Sequence, residues 1–490
     1  MRPLELIIGG LILVHLVDWV AGRRVSKVLP LVLAALVVAH LALEGPRAMM
    51  ALAYLYAALL LIARLRRPAD QPVVRRRPLV LAGRTLGALL IAGVTLGPAL
   101  LWPVMRLPAP KGPYRVGTTW LVVTDSSRTE RFGPDRSVRR RLPVKAWYPA
   151  AGAGGRPAAY ATAAEVNVAN RLPGFLLSQF RHVKTHSFDG APIADSGGRF
   201  PTLVFSHGYT GFAAQNTPQM EELASRGYIV FSIVHPYEAS AAPFPDGPAI
   251  LLEPDVLKRL FPADPKAAAA KVAPALARID SAKSREGRLA ALRAFLDLSP
   301  EPLRTESVGQ WAADTKAVID HLDRLDQGGG APFQGRLNLE QLGVFGMSYG
   351  GATVGEFCRK DARCRAGINI DGGQYGGLID DSLTVPYLIV ASETAYPVHV
   401  PVLDVSRGPS YLVRVPATQH LGLTDYPLFA PNLFQWLGMT GTMNPYRREA
   451  IMTAYVLGFF DTYLKGERSP LFDGPSRDFP EVVFQARNAQ

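Results

Sequence analysis

Leu342-Gly343-Val344-Phe345-Gly346-Met347-Ser348-Tyr349-Gly350-Gly351-Ala352-Thr353-Val354 is the stretch that decides the fold. Its first four residues form an apolar run of strand character. Its last four are small residues suited to the start of a helix. Between them, Gly346-Met347-Ser348-Tyr349-Gly350 has the spacing of a sharp strand-to-helix turn with a serine at its apex. Such a turn holds the serine at strained backbone angles and projects its hydroxyl clear of the sheet. The flanking glycines are needed because a side chain at either position would meet the neighbouring strand or helix.

Outward from this turn, apolar runs and helical stretches alternate. Thr118–Thr124, Leu142–Trp147, Thr202–Ser206, Tyr228–Val234, Leu342–Phe345, Ala366–Ile370, Tyr387–Ala391 and Tyr411–Val415 read as strands. Most are continuous Val/Ile/Leu/Phe runs, which marks strands covered on both faces. Pro218–Ser225, Val308–Leu325, Tyr349–Phe357 and Glu449–Leu464 read as helices. The alternation predicts a layered α/β fold with a mostly parallel sheet. Residues 240–305 interrupt it. They are rich in Ala, Lys and Arg, carry prolines and have no strand run, so a helical lid or cap over the sheet's active edge is expected there.

The 490 residues are 48% hydrophobic, and the excess lies at the front. Leu4–Val20, Val28–Leu43, Ala48–Ala63 and Thr85–Val104 are four apolar segments near the length that crosses a bilayer. They predict an all-α transmembrane region over residues 1–107, followed by a catalytic domain over 108–490. Four in succession, with no small-residue cleavage site after the first, argue against a cleaved signal peptide. A buried soluble bundle is the alternative, but these helices have almost no polar face.

The formal net charge is +12. Residues 1–107 hold thirteen Lys/Arg and four Asp/Glu, a balance of +9, which leaves +3 for the remainder. The basic excess therefore sits between apolar segments. The globular part has no basic stripe or reading motif, so nucleic-acid binding has no support. Arg23, Arg24 and Lys27 occupy the first connection, Arg47 the second, and Arg64, Arg66, Arg67, Arg75, Arg76 and Arg77 the third. Positive connections stay in the cytoplasm. The expected location is thus the cell membrane, multi-pass, with the catalytic domain extracytoplasmic. Cys358 and Cys364 would then lie in an oxidising compartment, where either a disulfide or two free thiols is open. No neighbouring Cys or His completes a metal ligand set around them.

A serine hydroxyl needs an imidazole to take its proton, and the imidazole needs a carboxylate to fix its tautomer. In the α/β-hydrolase arrangement the chain order is Ser, acid, His. Only His399 and His420 lie downstream of Ser348. His420 is preferred because it follows the Tyr411–Val415 strand run. His399 precedes that run. Asp371 and Glu393 both end strand runs, and the paired glycines after Asp371 favour it. Backbone N–H groups must receive the charge that develops on an attacked carbonyl. Tyr349 follows the nucleophile and supplies one. Tyr209, in Phe205-Ser206-His207-Gly208-Tyr209-Thr210-Gly211, supplies the other, with His207 bracing that loop. Phe212 and Met347, with both tyrosines, suit an acyl group.

These residues carry a resemblance. Phe205-Ser206-His207-Gly208, the Gly346–Val354 stretch, Asp371, Ser392-Glu393-Thr394-Ala395-Tyr396-Pro397 and His420 resemble the platelet-activating-factor acetylhydrolase family. That family comprises α/β-hydrolase serine esterases acting on short or oxidised acyl chains of phospholipids. The likeness covers roughly residues 115–465. It implies Ser348, Asp371 and His420 as the catalytic set, Tyr209 and Tyr349 as oxyanion donors, and no metal or organic cofactor. Met347 stands where the family often has a His, and the membrane segments are outside the likeness. Expected partners are an ester or lipid substrate and the bilayer. Rival readings are a general carboxylesterase or polyester hydrolase, and a non-catalytic membrane receptor or scaffold with a hydrolase-like domain. A transporter would rest only on His15, Asp18 and His40.

Overall fold

The computed structural model describes residues 1–488 apart from 24–25, 67–77, 153, 169–177, 196, 256–257, 259–263 and 330–331. Arg24, Arg67, Arg75, Arg76 and Arg77 lie outside the described residues. The chain divides into two compact units. One is Met1–Arg106 with Leu172–Val183 and Phe429–Leu433. The other is Leu107–Arg171, Lys184–Leu428 and Phe434–Gln490.

The first unit holds helices Pro3–Val20, Leu29–Leu43, Ala51–Arg66 and Pro78–Leu101. Three spans are long and apolar enough to cross a membrane: Pro3–Val20, Ala48–Arg66 and Pro78–Leu101. Leu29–Leu43 has only 15 residues. At ~1.5 Å per residue it falls short of a hydrocarbon core of ~30 Å. Large apolar side chains on these helices point outward, with Leu43 80% and Leu79 87% exposed. A water-soluble bundle would bury such residues. Glu5, His40 and Arg47 are instead turned inward and paired. Arg47 Nη1 lies 2.8 Å from Glu5 Oε2, and Arg2 Nε lies 2.9 Å from Glu5 Oε1. His40, also buried, stands 3.5 Å from Glu5 Oε1. Pairing of this kind is what makes charge tolerable among apolar helices.

The second unit is built on one sheet. Its strands are β1 (Arg115–Thr129), β2 (Arg139–Ala150), β3 (Arg156–Pro157), β4 (Ser187–Asp189), β5 (Phe200–Ser206) and β6 (Ile229–Ile233). After a separate hairpin, β7 (Ala241–Ala242) with β8 (Ile250–Leu251), come β9 (Leu337–Met347), β10 (Ala366–Ile370), β11 (Tyr387–Ser392), β12 (Ser410–Val415) and β13 (Val483–Arg487). The order across the sheet is β13-β12-β11-β10-β9-β5-β6-β2-β1-β4-β3. From β12 to β6 every pairing is parallel, while β2 and β13 add antiparallel strands at either side. This is the α/β-hydrolase architecture. Each strand run read from the sequence falls on a strand. β13 was not read, because its short segment alternates only weakly and its residues are half-buried or exposed.

Alternate residues of the central strands supply two cores, as strand geometry requires. Val204 and Val344 pack on one face with Val318, Leu322 and Phe357. Leu203, Phe205 and Phe345 pack on the other with Met220, Leu223, Tyr455 and Phe459. The helices so placed are Val308–Arg324 and Tyr349–Lys360 on the first face, and Thr217–Ser225 and Pro445–Phe460 on the second. Covering both faces leaves the carboxyl ends of the parallel strands as the open edge.

Residues 240–305 contain the β7–β8 hairpin, which the sequence reading did not expect, and two helices, Pro265–Ser281 and Arg285–Leu296. Asp264 and Ser284 cap these helices by accepting the N–H groups of Lys266 and Gly287, both at 3.0 Å. Ile279, Leu292 and Leu296 pack them onto Ile379 and Val398. Cys358 and Cys364 are joined by a disulfide across the link from helix Tyr349–Lys360 to β10.

Candidate active site

Ser348 sits between β9 and helix Tyr349–Lys360 with φ 55° and ψ −116°. That left-handed backbone is costly for a residue with a side chain and persists only where the surroundings enforce it. Enforcement is visible at the glycines. A Cβ on Gly346 would strike the main chain of Gly350, and one on Gly350 would strike the carbonyl of Ser206. The turn can close only with glycine at both places.

The structure brings Ser348, His420 and Asp371 together. His420 Nε2 is 2.8 Å from Ser348 Oγ, and His420 Nδ1 is 2.8 Å from Asp371 Oδ2. An ionised carboxylate only accepts, so Nδ1 carries the proton and Nε2 is left to accept from the serine hydroxyl. The His420 side chain is 44% exposed, whereas that of Asp371 is wholly buried. Asp371 follows β10 with φ 54°. A Cβ on Gly372 would collide with the Ser348 carbonyl, so the glycine after the acid is what lets the two turns nest.

Asp371 is densely held. Ser392 donates twice, from its N–H to Oδ1 and from its hydroxyl to Oδ2, both at 2.7 Å. Burial by itself would raise the pKa of Asp371, but the imidazoles of His399 and His420 outweigh it and hold the carboxyl well below its usual range. His399, the rival base, lies behind the acid. It is buried, 3.4 Å from Asp371 Oδ1, with Gln374 Nε2 3.0 Å from its Nδ1. Glu393, the rival acid, instead accepts the N–H of Ala417 at 2.7 Å and braces the turn that leads to His420.

Tyr349 is the first residue of its helix, so its N–H has no intrahelical acceptor and faces the turn. The Gly208–Tyr209 segment closes on the serine. A Cβ on Gly208 would come within 3.2 Å of Ser348 Cβ. The Tyr209 and Tyr349 rings meet edge to face at 4.9 Å. His207 is buried and donates from Nδ1 to the Gly208 carbonyl at 2.6 Å, which braces the loop. Phe212 is half-buried, edge-on to Tyr160 at 6.1 Å. The expectation that Met347 lines an acyl pocket is corrected. Its side chain has no exposure and belongs to the core with Phe205 and Phe345, because the last residue of β9 points down into the sheet's packed face.

A buried polar system beside the loop was missed. His235 Nδ1 lies 2.9 Å from Asp314 Oδ2, and Arg140 bridges Asp314 and Glu130 at 2.7 Å each. His235 Nε2 lies 3.2 Å from Ser206 Oγ, so a second Ser–His–Asp set exists, but all three members are buried. Burial lowers His235 to about 4 and His207 to about 3. The available signal was position alone: His235 follows the apolar β6 run.

Fold and geometry together define an α/β-hydrolase with a serine, histidine and aspartate in hydrogen-bonded sequence at the open sheet edge. A family profile described as "Platelet-activating factor acetylhydrolase, isoform II" matches residues 102–245. A probable 1-alkyl-2-acetylglycerophosphocholine esterase of Arthroderma benhamiae is 28% identical over 166 residues, 29% of this chain and 43% of its own length. The platelet-activating factor acetylhydrolase of Cavia porcellus is 24% identical over 59% of this chain and 60% of its own. That of Gallus gallus is 22% identical over 81% and 92%. The matched region thus spans less than two thirds of the first two relatives. Among solved structures, a ferulic acid esterase from Streptomyces cinnamoneus superposes with a TM-score of 0.59 at 27% identity, over 78% of this chain and 99% of its own. The chain is therefore related to the platelet-activating-factor acetylhydrolase family.

Proposed function

We propose that this chain is a membrane-anchored serine hydrolase that cleaves carboxylic esters, of short-chain or lipid acyl type, through an acyl-enzyme on Ser348. Ser348 Oγ attacks the ester carbonyl while His420 Nε2 takes its proton. Asp371 orients the imidazole and stabilises its positive charge. The N–H groups of Tyr209 and Tyr349 receive the oxyanion. His420 then protonates the leaving alkoxide, activates a water, and returns the proton to Ser348 as the acid leaves. The observation that carries this reading is the unbroken Ser348–His420–Asp371 relay with both links at 2.8 Å.

Residues 1–107 are assigned to membrane attachment and 240–305 to a lid. Among the lid's polar ties, Arg293–Asp380 is a surface pair of small worth, while Arg288–Asp404 is half-buried. The relatives' names favour a phospholipid-type ester, and the ferulic acid esterase likeness favours a broader carboxylesterase. A substrate panel separates them. The reading itself is tested by Ser348→Ala, which should abolish hydrolysis of a p-nitrophenyl short-chain ester without unfolding the chain. Retained turnover would refute it.

A further inference from the structure

The segment that carries Tyr209 is clipped not to the sheet but to residues 238–240. Thr210 N–H donates to the Glu238 carbonyl at 2.8 Å, and Ser240 N–H donates to the Gly211 carbonyl at 2.8 Å. Thr210 adopts φ 60°, so this turn, like that of Ser348, is held against its own preference. The third tie is a side chain: the Tyr209 hydroxyl donates to Glu238 Oε1 at 2.8 Å.

Glu238 has no exposure, and its carboxylate takes two more donors, Ser307 Oγ and Trp311 Nε1, both at 2.7 Å. All three side-chain bonds come from neutral groups. A carboxylate in such a place is expensive to bury, and a core position without a task would hold an apolar residue. Every donor it collects belongs to the surroundings of Ser348. Tyr209 is the oxyanion segment, and Ser307 and Trp311 lie on the chain returning from the 240–305 insertion. The Trp311 ring stacks on Tyr209 at 6.0 Å and meets Tyr349 edge-on at 4.9 Å.

Resting on the reading of Ser348 as nucleophile, we propose that Glu238 is a positioning residue that fixes the Tyr209 main-chain N–H where the oxyanion forms, by gripping the Tyr209 phenol from below. Glu238 touches no reacting atom. It acts through the ring it holds and ties that ring to the return segment of the lid.

The test uses the full chain in detergent with a p-nitrophenyl short-chain ester. Glu238→Gln turns an amide NH₂ toward donors and breaks at least one bond. It should lower kcat about tenfold, part of the cost of losing an oxyanion donor outright, with KM nearly unchanged. Tyr209→Phe keeps the N–H but removes the phenol and should give a similar loss. The double variant should lose no more than either single, since both cut one link. The proposal is overturned if Glu238→Gln keeps kcat within about twofold of the parent, or if the two losses multiply. Should Glu238→Gln fail to fold, Tyr209→Phe decides alone, and an unchanged kcat overturns the proposal. Ser348→Ala run alongside separates the two levels: turnover surviving there overturns the nucleophile assignment itself.

Discussion

Ser348, Asp371 and Ala417 are among the non-glycine residues with positive φ, at 55°, 54° and 52°. Each ends or follows a parallel strand, and the first two carry groups of the proposed relay. Strain at these points is sustained by packing against neighbouring turns rather than by local preference. Asp371 shows what the packing accomplishes. Its carboxylate is ionised in a buried site, and its partner His420 is thereby fixed in one tautomer. Asp371→Asn should keep the fold and lower kcat by about four orders of magnitude, because an amide stabilises the wrong imidazole tautomer. Steady-state kinetics beside an unfolding curve checks this, and a loss of less than about tenfold would remove Asp371 from the relay. At this scale the sequence was partly legible. Serine, glycines and chain order point to Ser348, Asp371 and His420 without coordinates. Met347 was misjudged because strand alternation sends it downward, and the adjacency of Glu238, Asp314 and Arg140 to the site is set by folding across long separations.

Elements explain what holds the loop that carries Tyr209. The end of β6 delivers His235 and helix Val308–Arg324 delivers Trp311, both against the His207 ring, while Asp314 of the same helix holds His235 and Arg140 of β2 holds Asp314. His207 and His235 stay neutral because burial pushes them to about 3 and about 4. Their unfolded value is ~6.5, so between there and ~4 the unfolded chain binds protons that the native chain does not. Stability must therefore fall as pH drops through that window. Asp314 is held below the usual carboxylate range, burial being outweighed by Arg140, so its contribution fades only on further acidification. Thermal unfolding at pH 7.5 and pH 5 should show a lower midpoint at pH 5, with the drop reduced in His207→Asn. An equal midpoint at both would contradict the assignment. The parallel strands and their helices were readable because buried runs and helical stretches alternate plainly. The β7–β8 hairpin was not, since two-residue strands leave no periodicity.

The whole molecule joins an apolar helical unit to a hydrolase unit. Four crossings would place the hydrolase unit on the same side as the amino terminus, outside if Arg23 and Lys27 remain in the cytoplasm. The 15-residue helix Leu29–Leu43 is the short member of the set, and without its crossing the side would reverse. Protease added to intact cells should cleave the C-terminal unit, and digestion only after lysis would reverse the topology. The central claim concerns Ser348 whatever the side. A fluorophosphonate probe bonds only to a serine whose proton is drawn off by a base. Labelling the full chain and mapping the adduct by mass spectrometry should place it on Ser348, and His420→Ala should abolish it. An unlabelled chain, or an adduct on another serine, would contradict the account.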